Sequence, residues 1–146
     1  MLEIQGKDEP IERIKYNGVT YAVLVRAKLP RTGYNFVSQD EDSLQVGVNH
    51  YKSGQLARPH FHLPAERALK DTLEMLHIDS GACLLSLYND AKVRVYETRM
   101  ESGDTVVLLA GGHALQMLDD TRIVEVKQGP YLGPARDKVF FEEEKG

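Results

Sequence analysis

Short segments of strand-forming residues, separated by turn residues, recur along the whole chain. Residues 11–16 and 20–26 flank Asn17-Gly18, and Asn-Gly between two such segments is the strongest short-range signal for a β-hairpin. Asn89-Asp90 joins a second predicted hairpin, of residues 82–88 and 92–98. Further strands are predicted at residues 35–37, 43–51, 58–62, 72–78, 105–109, 113–118 and 121–127. Many short strands joined by turns predict an all-β sandwich or barrel.

Length, charge and cysteine content limit the classes of protein to which this chain can belong. Its 146 residues fit a single domain, residues 1–146, with an N-terminal arm at 1–10, free to fray or to lie over a partner subunit, and a charged tail at 142–146. The 18 basic and 22 acidic residues give a net charge of -4 and are interspersed, which argues against nucleic acid or an anionic membrane as partner. The single cysteine, Cys83, cannot form an internal disulfide, and the first residues do not resemble a signal peptide. We therefore expect a cytoplasmic protein.

Two histidines spaced by one residue suggest either a metal site or two partly exposed histidines. In an extended strand alternate side chains share a face, so His60 and His62 would point the same way and Phe61 the opposite way. One strand can thus offer two imidazoles to one ion. Glu74 and His113 are the candidates for completing a mixed nitrogen and oxygen shell.

These residues resemble the first sequence motif of the cupin superfamily. That motif reads Gly, five residues, His-x-His, a short gap, Glu, six residues, Gly, and this chain has Gly54, His60, His62, Glu74 and Gly81 in that order. The gap before the glutamate is the departure, because eleven residues separate His62 from Glu74.

The second cupin motif has a weaker counterpart between Gly103 and His113. Leu109 stands where the family has proline, and one residue fewer precedes the histidine. The resemblance implies a double-stranded β-helix, a small jelly-roll barrel, that binds one divalent transition metal through His60, His62, Glu74 and His113. It also implies a homodimer.

The position of the carboxylate ligand depends on the structure of residues 63–76. Leu69, Leu73 and Leu76 follow helical spacing, so an amphipathic helix competes with a strand here. We favour a strand beginning near Thr72, because Gly81 and the apolar segment after it are typical of a junction with the next strand. Glu74 is the preferred ligand because it keeps the six-residue spacing to Gly81. An unbroken helix would instead leave Glu66 as the carboxylate nearest the histidines.

Three charged residues are candidates for contact with a substrate. Arg58 shares a strand face with the two histidines in this prediction and would suit a carboxylate or phosphate; the competing interpretation is a solvated or salt-bridged surface arginine. Glu125 and Lys127 share a face of the strand at 121–127 and could form an acid/base pair in the cavity. The competing interpretation turns this charged face to solvent and points Val124 and Val126 inward.

The donor set admits iron, manganese, zinc, nickel or cobalt. Our leading hypothesis is a metal-dependent isomerase or epimerase of a small polar molecule, either carbohydrate-like or a hydroxy acid. The alternatives are an Fe(II)-dependent dioxygenase and a non-catalytic, ligand-binding cupin.

Overall fold

The computed structural model describes residues 1–143, and their regular secondary structure is almost entirely β-strand, arranged in antiparallel sheets. The strands are β1 (Leu2–Gln5), β2 (Ile11–Tyr16), β3 (Val19–Val25), β4 (Tyr34–Phe36), β5 (Gly47–Asn49), β6 (Glu74–Ser80), β7 (Ala82–Tyr88), β8 (Arg94–Glu101), β9 (Thr105–Leu108), β10 (Gly112–Met117) and β11 (Arg122–Lys127). One short helix, α1 (Pro134–Asp137), follows them. The all-β prediction is therefore confirmed. Within the described residues no helix is long and apolar enough to span a membrane.

Both predicted hairpins form. β2 and β3 pair across Asn17 and Gly18, whose φ angles are 49° and 82°. A two-residue turn with both φ values positive matches the twist of the two strands, which explains the Asn-Gly sequence. β7 and β8 pair in the same antiparallel way after the turn at Asn89.

Two sheets enclose the main hydrophobic core. The larger sheet has the order β1-β2-β3-β9-β6-β11 and the smaller one β10-β7-β8. From β6 onward the chain passes repeatedly between them: β6, β9 and β11 lie in the larger sheet and β7, β8 and β10 in the smaller. The buried core residues are Ile14, Tyr21, Ala22, Leu24, Leu76, Ile78, Val106 and Leu108 from the larger sheet and Cys83, Leu85, Leu87 and Met100 from the smaller.

A second, smaller core covers the other face of the larger sheet. Val23 and Val107 are buried there against Val37, with Leu44 and Val46 packed around them. The chain between β3 and β5 therefore serves as a cover for this face. Of the predicted strand at 43–51 only β5 forms, and the preceding residues Leu44 and Val46 pack against this core from a loop.

Arg26 ties β2, β3 and β8 together at one end of the molecule. Its guanidinium donates from Nε to Glu12 Oε2 (2.9 Å), from Nη1 to Asp104 Oδ2 (3.3 Å) and the Arg99 carbonyl (2.9 Å), and from Nη2 to Thr98 Oγ1 (3.0 Å). Burial lowers the pKa of Arg26, but the hydrogen bond and charge of Glu12, followed by those of Asp104, outweigh it, so that the pKa is raised. This network lines a polar pocket of about 440 Å³.

Three further segments differ from the sequence-based expectation. Residues 58–62 form no strand and stay exposed. The expected N-terminal arm instead contributes β1, which pairs with β2 of its own chain. In the expected charged tail, Glu143 pairs with Arg94 (3.2 Å) and so is not simply solvated; residues 144–146 lie outside the described residues.

Candidate active site

Glu74 is the first residue of a strand in the larger sheet. β6 lies between β9 and β11, and the side chains of Leu76 and Ile78, which share the face of Glu74, are buried in the core. The strand register proposed for Glu74 is therefore confirmed, and the competing helix does not form. Four residues, Thr72, Glu74, Leu76 and Ile78, were predicted to point inward from this strand. Glu74, Leu76 and Ile78 do so, whereas Thr72 precedes the strand and is exposed.

His113 meets Glu74 from the opposite sheet. It lies on β10, and its Nε2 is 3.1 Å from Glu74 Oε2, with 14% of the glutamate side chain and 36% of the histidine side chain exposed. The hydrogen bond from His113 lowers the pKa of Glu74; burial opposes this shift, and the nearby charge of Lys127 supports it. Glu74 is therefore an ionised acceptor at neutral pH, held by a partner on the other sheet.

β11 presents its charged residues to the same face. In the pairing of β11 with β6, Lys127 is opposite Glu74 and Glu125 is opposite Leu76. Directly opposed residues share a face of the sheet, so both charged residues are on the side that carries Glu74. Val124 and Val126 are 44% and 47% exposed on the other side. The interpretation that pointed these valines inward is wrong.

Lys127 is held by two carboxylates. Its Nζ is 3.5 Å from Glu125 Oε1 and 3.4 Å from Asp137 Oδ2, and it lies 5.7 Å from the centre of the Tyr131 ring. Partial burial lowers the pKa of Lys127, but the hydrogen bond and charge of Asp137, with those of Glu125, outweigh it and raise the pKa. Lys127 is therefore a persistent cation at neutral pH.

Asp137 was missed from the sequence. It ends the four-residue helix α1, and its side chain is only 12% exposed. The signal available was Gly133-Pro134, since proline is common in the first turn of a helix. Nothing in the sequence placed that helix beside Lys127.

A pocket of about 560 Å³ lies beside these groups, and Glu125, whose side chain is 47% exposed, is outside its lining. Glu74, His113 and Lys127 lie in its lining. Aromatic side chains form much of another wall, where the rings of Tyr88 and Phe141 meet edge to face at 5.3 Å. A polar floor with an aromatic wall is an arrangement that binds small molecules.

The other predicted site residues lie on the exposed segment that precedes β6. The rings of His60 and His62 are 5.2 Å apart, and His60 Nδ1 is 2.7 Å from the carbonyl of Arg58. Phe61 is 97% exposed instead of packing into a layer. Arg58, His60 and His62 do not line the pocket. Glu66 is exposed on the same segment.

The predicted metal shell is therefore divided into two pairs. Glu74 and His113 supply one oxygen and one nitrogen that are close enough to share an ion, and His60 and His62 lie together elsewhere. Among residues 1–143 no three histidine, cysteine, aspartate or glutamate side chains come together as a metal-binding group. As arranged, the chain provides half of the predicted donors in one place.

Comparison of the chain with models of protein families, with curated proteins and with solved structures finds no match.

Proposed function

We propose that the protein is a cupin with a jelly-roll fold that acts as an isomerase or epimerase on a small polar molecule, carbohydrate-like or a hydroxy acid. The observation that carries this proposal is the contact of Glu74 with His113 in the same pocket as Lys127. An ionised carboxylate, an imidazole and a fixed cation around one pocket are the groups that proton transfer next to a carbonyl requires.

Lys127 and Glu125 have separate roles in this proposal. With its raised pKa, Lys127 stays protonated and stabilises the negative oxygen that develops when a proton leaves the neighbouring carbon. Glu125, whose Oε1 is 3.5 Å from this ammonium group, accepts that proton and returns it to a neighbouring position of the substrate. Asp137 contacts the other side of the ammonium group and so positions Lys127.

The proposed metal would be held by Glu74 and His113, with His60 and His62 as further ligands when their segment reaches the pocket. When bound there, iron, manganese, zinc, nickel or cobalt would polarise a substrate carbonyl. Arg58 would arrive with the same segment and bind an anionic group of the substrate.

The test combines metal analysis with turnover. The purified protein, reconstituted with each of the five metals, is assayed against sugars, sugar phosphates and hydroxy acids. We expect Lys127→Met to abolish isomerisation while metal content stays unchanged. Lys7→Met, which removes an exposed lysine near the start of the sequence, is the control and should behave as the wild type. Full activity of Lys127→Met would refute the assigned role.

One observation favours a second candidate, a ligand-binding cupin without catalysis. Only two of the four proposed donors come together in the described residues, and a pocket can bind a small molecule without an ion. Wild-type protein that takes up no metal but binds a sugar or hydroxy acid would support this candidate. The Fe(II) dioxygenase alternative predicts that protein loaded with ferrous iron consumes oxygen and that protein loaded with zinc does not.

A further inference from the structure

Residues 56–72 form a long segment that pairs with no strand of the described residues, and among its carbonyl groups those of Arg58 and Ala65 accept hydrogen bonds from side chains of the same segment. No backbone N–H group of this segment donates a hydrogen bond within residues 1–143. Three of its large apolar side chains are almost fully exposed: Leu56 (76%), Phe61 (97%) and Leu63 (87%). Three large apolar side chains exposed within eight residues favour an interaction site in this segment.

The small sheet offers an open edge to such a segment. β10 pairs with β7 on one side, and in the part of the chain that the structure describes no strand pairs with its other side. An open strand edge presents unpaired N–H and C=O groups that bind an additional strand. His113 lies on β10, so a strand added here would run beside the pocket.

The segment and the pocket have complementary charges. Residues 54–63 include Arg58, His60 and His62 and no acidic residue. The pocket lining includes three carboxylates, Glu74, Asp137 and Glu143, against the lysines 127 and 138. Electrostatic attraction therefore favours the approach of this segment to this edge.

The side-chain alternation favours a second copy of the chain over the same chain as the source of the added strand. If His60 and His62 point toward the pocket, Phe61 and Leu63 point away from it. In a single chain that outer face would remain in water. In a reciprocal exchange it lies against the body of the other molecule, and two-fold symmetry fills both open edges at once.

We propose that residues 56–63 of one chain add as a strand to β10 of a second copy, in a symmetric, strand-exchanged dimer. Each pocket is then completed by the partner's histidines 60 and 62, which join Glu74 and His113. The exchange itself depends only on the open edge and the exposed segment, whereas the assignment of these histidines as metal ligands rests on the proposed function.

Hydrogen exchange over a range of protein concentrations tests the exchange without any metal or substrate. We expect the amides of residues 56–63 and those of β10 to gain protection together as light scattering reports the dimer. Phe61→Asp should shift dimerisation to at least about tenfold higher concentration, since it places a charge in the interface. Val19→Asp, at an exposed apolar residue of the β2–β3 hairpin, is the matched control and should leave it unchanged. Protection that is independent of concentration, or no protection at all, would overturn the proposal.

Subunit complementation tests the shared site. One variant carries His60→Ala and His62→Ala, and the other carries Glu74→Gln and His113→Ala. Neither should bind Co²⁺ tightly alone, but the mixture should bind about one ion per four chains, because random pairing makes roughly half of the dimers mixed and each mixed dimer has one intact site. No recovery in a mixture shown to contain mixed dimers would overturn the sharing of the site. If wild-type dimers show concentration-dependent protection but bind no Co²⁺, the exchange stands and the proposed metal function falls.

Discussion

Replacing Arg26 by methionine is expected to destabilise the fold strongly, although the residue has no part in the proposed chemistry. Its side chain is 17% exposed, and those of Glu12 and Asp104 are 6% and 9% exposed. Removing one member of a buried ionic cluster typically costs about 3 to 5 kcal/mol, because the remaining charge is left without compensation. Both remaining carboxylates would lose their cationic partner in this variant.

The lower end of that range applies here. Glu12 still accepts a hydrogen bond from the backbone N–H of Asp8 (3.0 Å), and Asp104 still accepts from those of Ala27 (2.8 Å) and Glu101 (3.0 Å). We therefore expect a loss of about 3 kcal/mol in the free energy of unfolding, which corresponds to a fall of about 10 °C in Tm for a chain of this size.

Denaturant and thermal unfolding of Arg26→Met measure this loss. Arg122→Met is the matched control, because Arg122 pairs with Asp79 at 3.4 Å but is 76% exposed; it should cost less than about 1 kcal/mol. The double variant Arg26→Met/Glu12→Gln should lose less free energy of unfolding than the two single variants lose together, by about 1 kcal/mol or more. If Arg26→Met costs no more than Arg122→Met, the network is not a stabilising connection between the strands.

Three further predictions concern the site and its supporting turn. Glu74→Gln should weaken Co²⁺ binding by about 100-fold or more, whereas Glu66→Gln should change it by less than about threefold, as measured by calorimetric titration; the reverse order would overturn the ligand assignment. Since the pKa of Glu74 is lowered in the folded state, its stabilising contribution is present above the unfolded pKa and is lost as the pH falls through the folded pKa. Urea unfolding of metal-free protein should therefore show a shallower loss of stability toward acid pH in Glu74→Gln than in the wild type, and parallel curves would contradict this. Gly111→Ala should cost about 3 kcal/mol in denaturant unfolding, because φ is +72° and the new Cβ would lie 2.4 Å from the Tyr21 ring. Gly33→Ala, with φ +56° and open space around the new Cβ, is the control and should cost about 1 kcal/mol. Equal losses would show that neighbouring atoms move to relieve the contact with Tyr21.

Local sequence signals were sufficient for the hairpins and for the later strands. Asn17-Gly18 identified the first hairpin because its turn requires positive φ at both residues. The bounds of the last three strands, β9 to β11, were predicted to within one residue, because their apolar and β-branched content is high. Glu74 was placed in the correct register by its spacing to Gly81, a glycine that the turn requires because its φ is +89°.

Features that depend on distant partners were not predictable. Residues 58–62 alternate like a strand, but a strand needs a neighbour to pair with, and local sequence does not specify one. The sheet face that Glu125 and Lys127 share with Glu74 follows from pairing with β6, since the isolated alternation assigns either set of side chains to that face equally well. Asp137 reaches Lys127 only because α1 returns to the pocket.

The position of β9 in the larger sheet has a consequence for the order of folding. β9 lies between β3 and β6 in this sheet. Of the residue pairs that join β3 to β9, Val25 and Thr105 are the closest in sequence, and they are 80 positions apart. At about 5 to 20 residues per second of synthesis, the β2–β3 hairpin would wait roughly 4 to 16 s for its neighbour. High contact order of this kind places folding in the range of roughly milliseconds to seconds once the chain is complete. The first hairpin thus leaves the ribosome with an unsatisfied edge, and a fragment that ends just before residue 105 contains four strands of the larger sheet, β1, β2, β3 and β6, without the strand that joins β3 to β6.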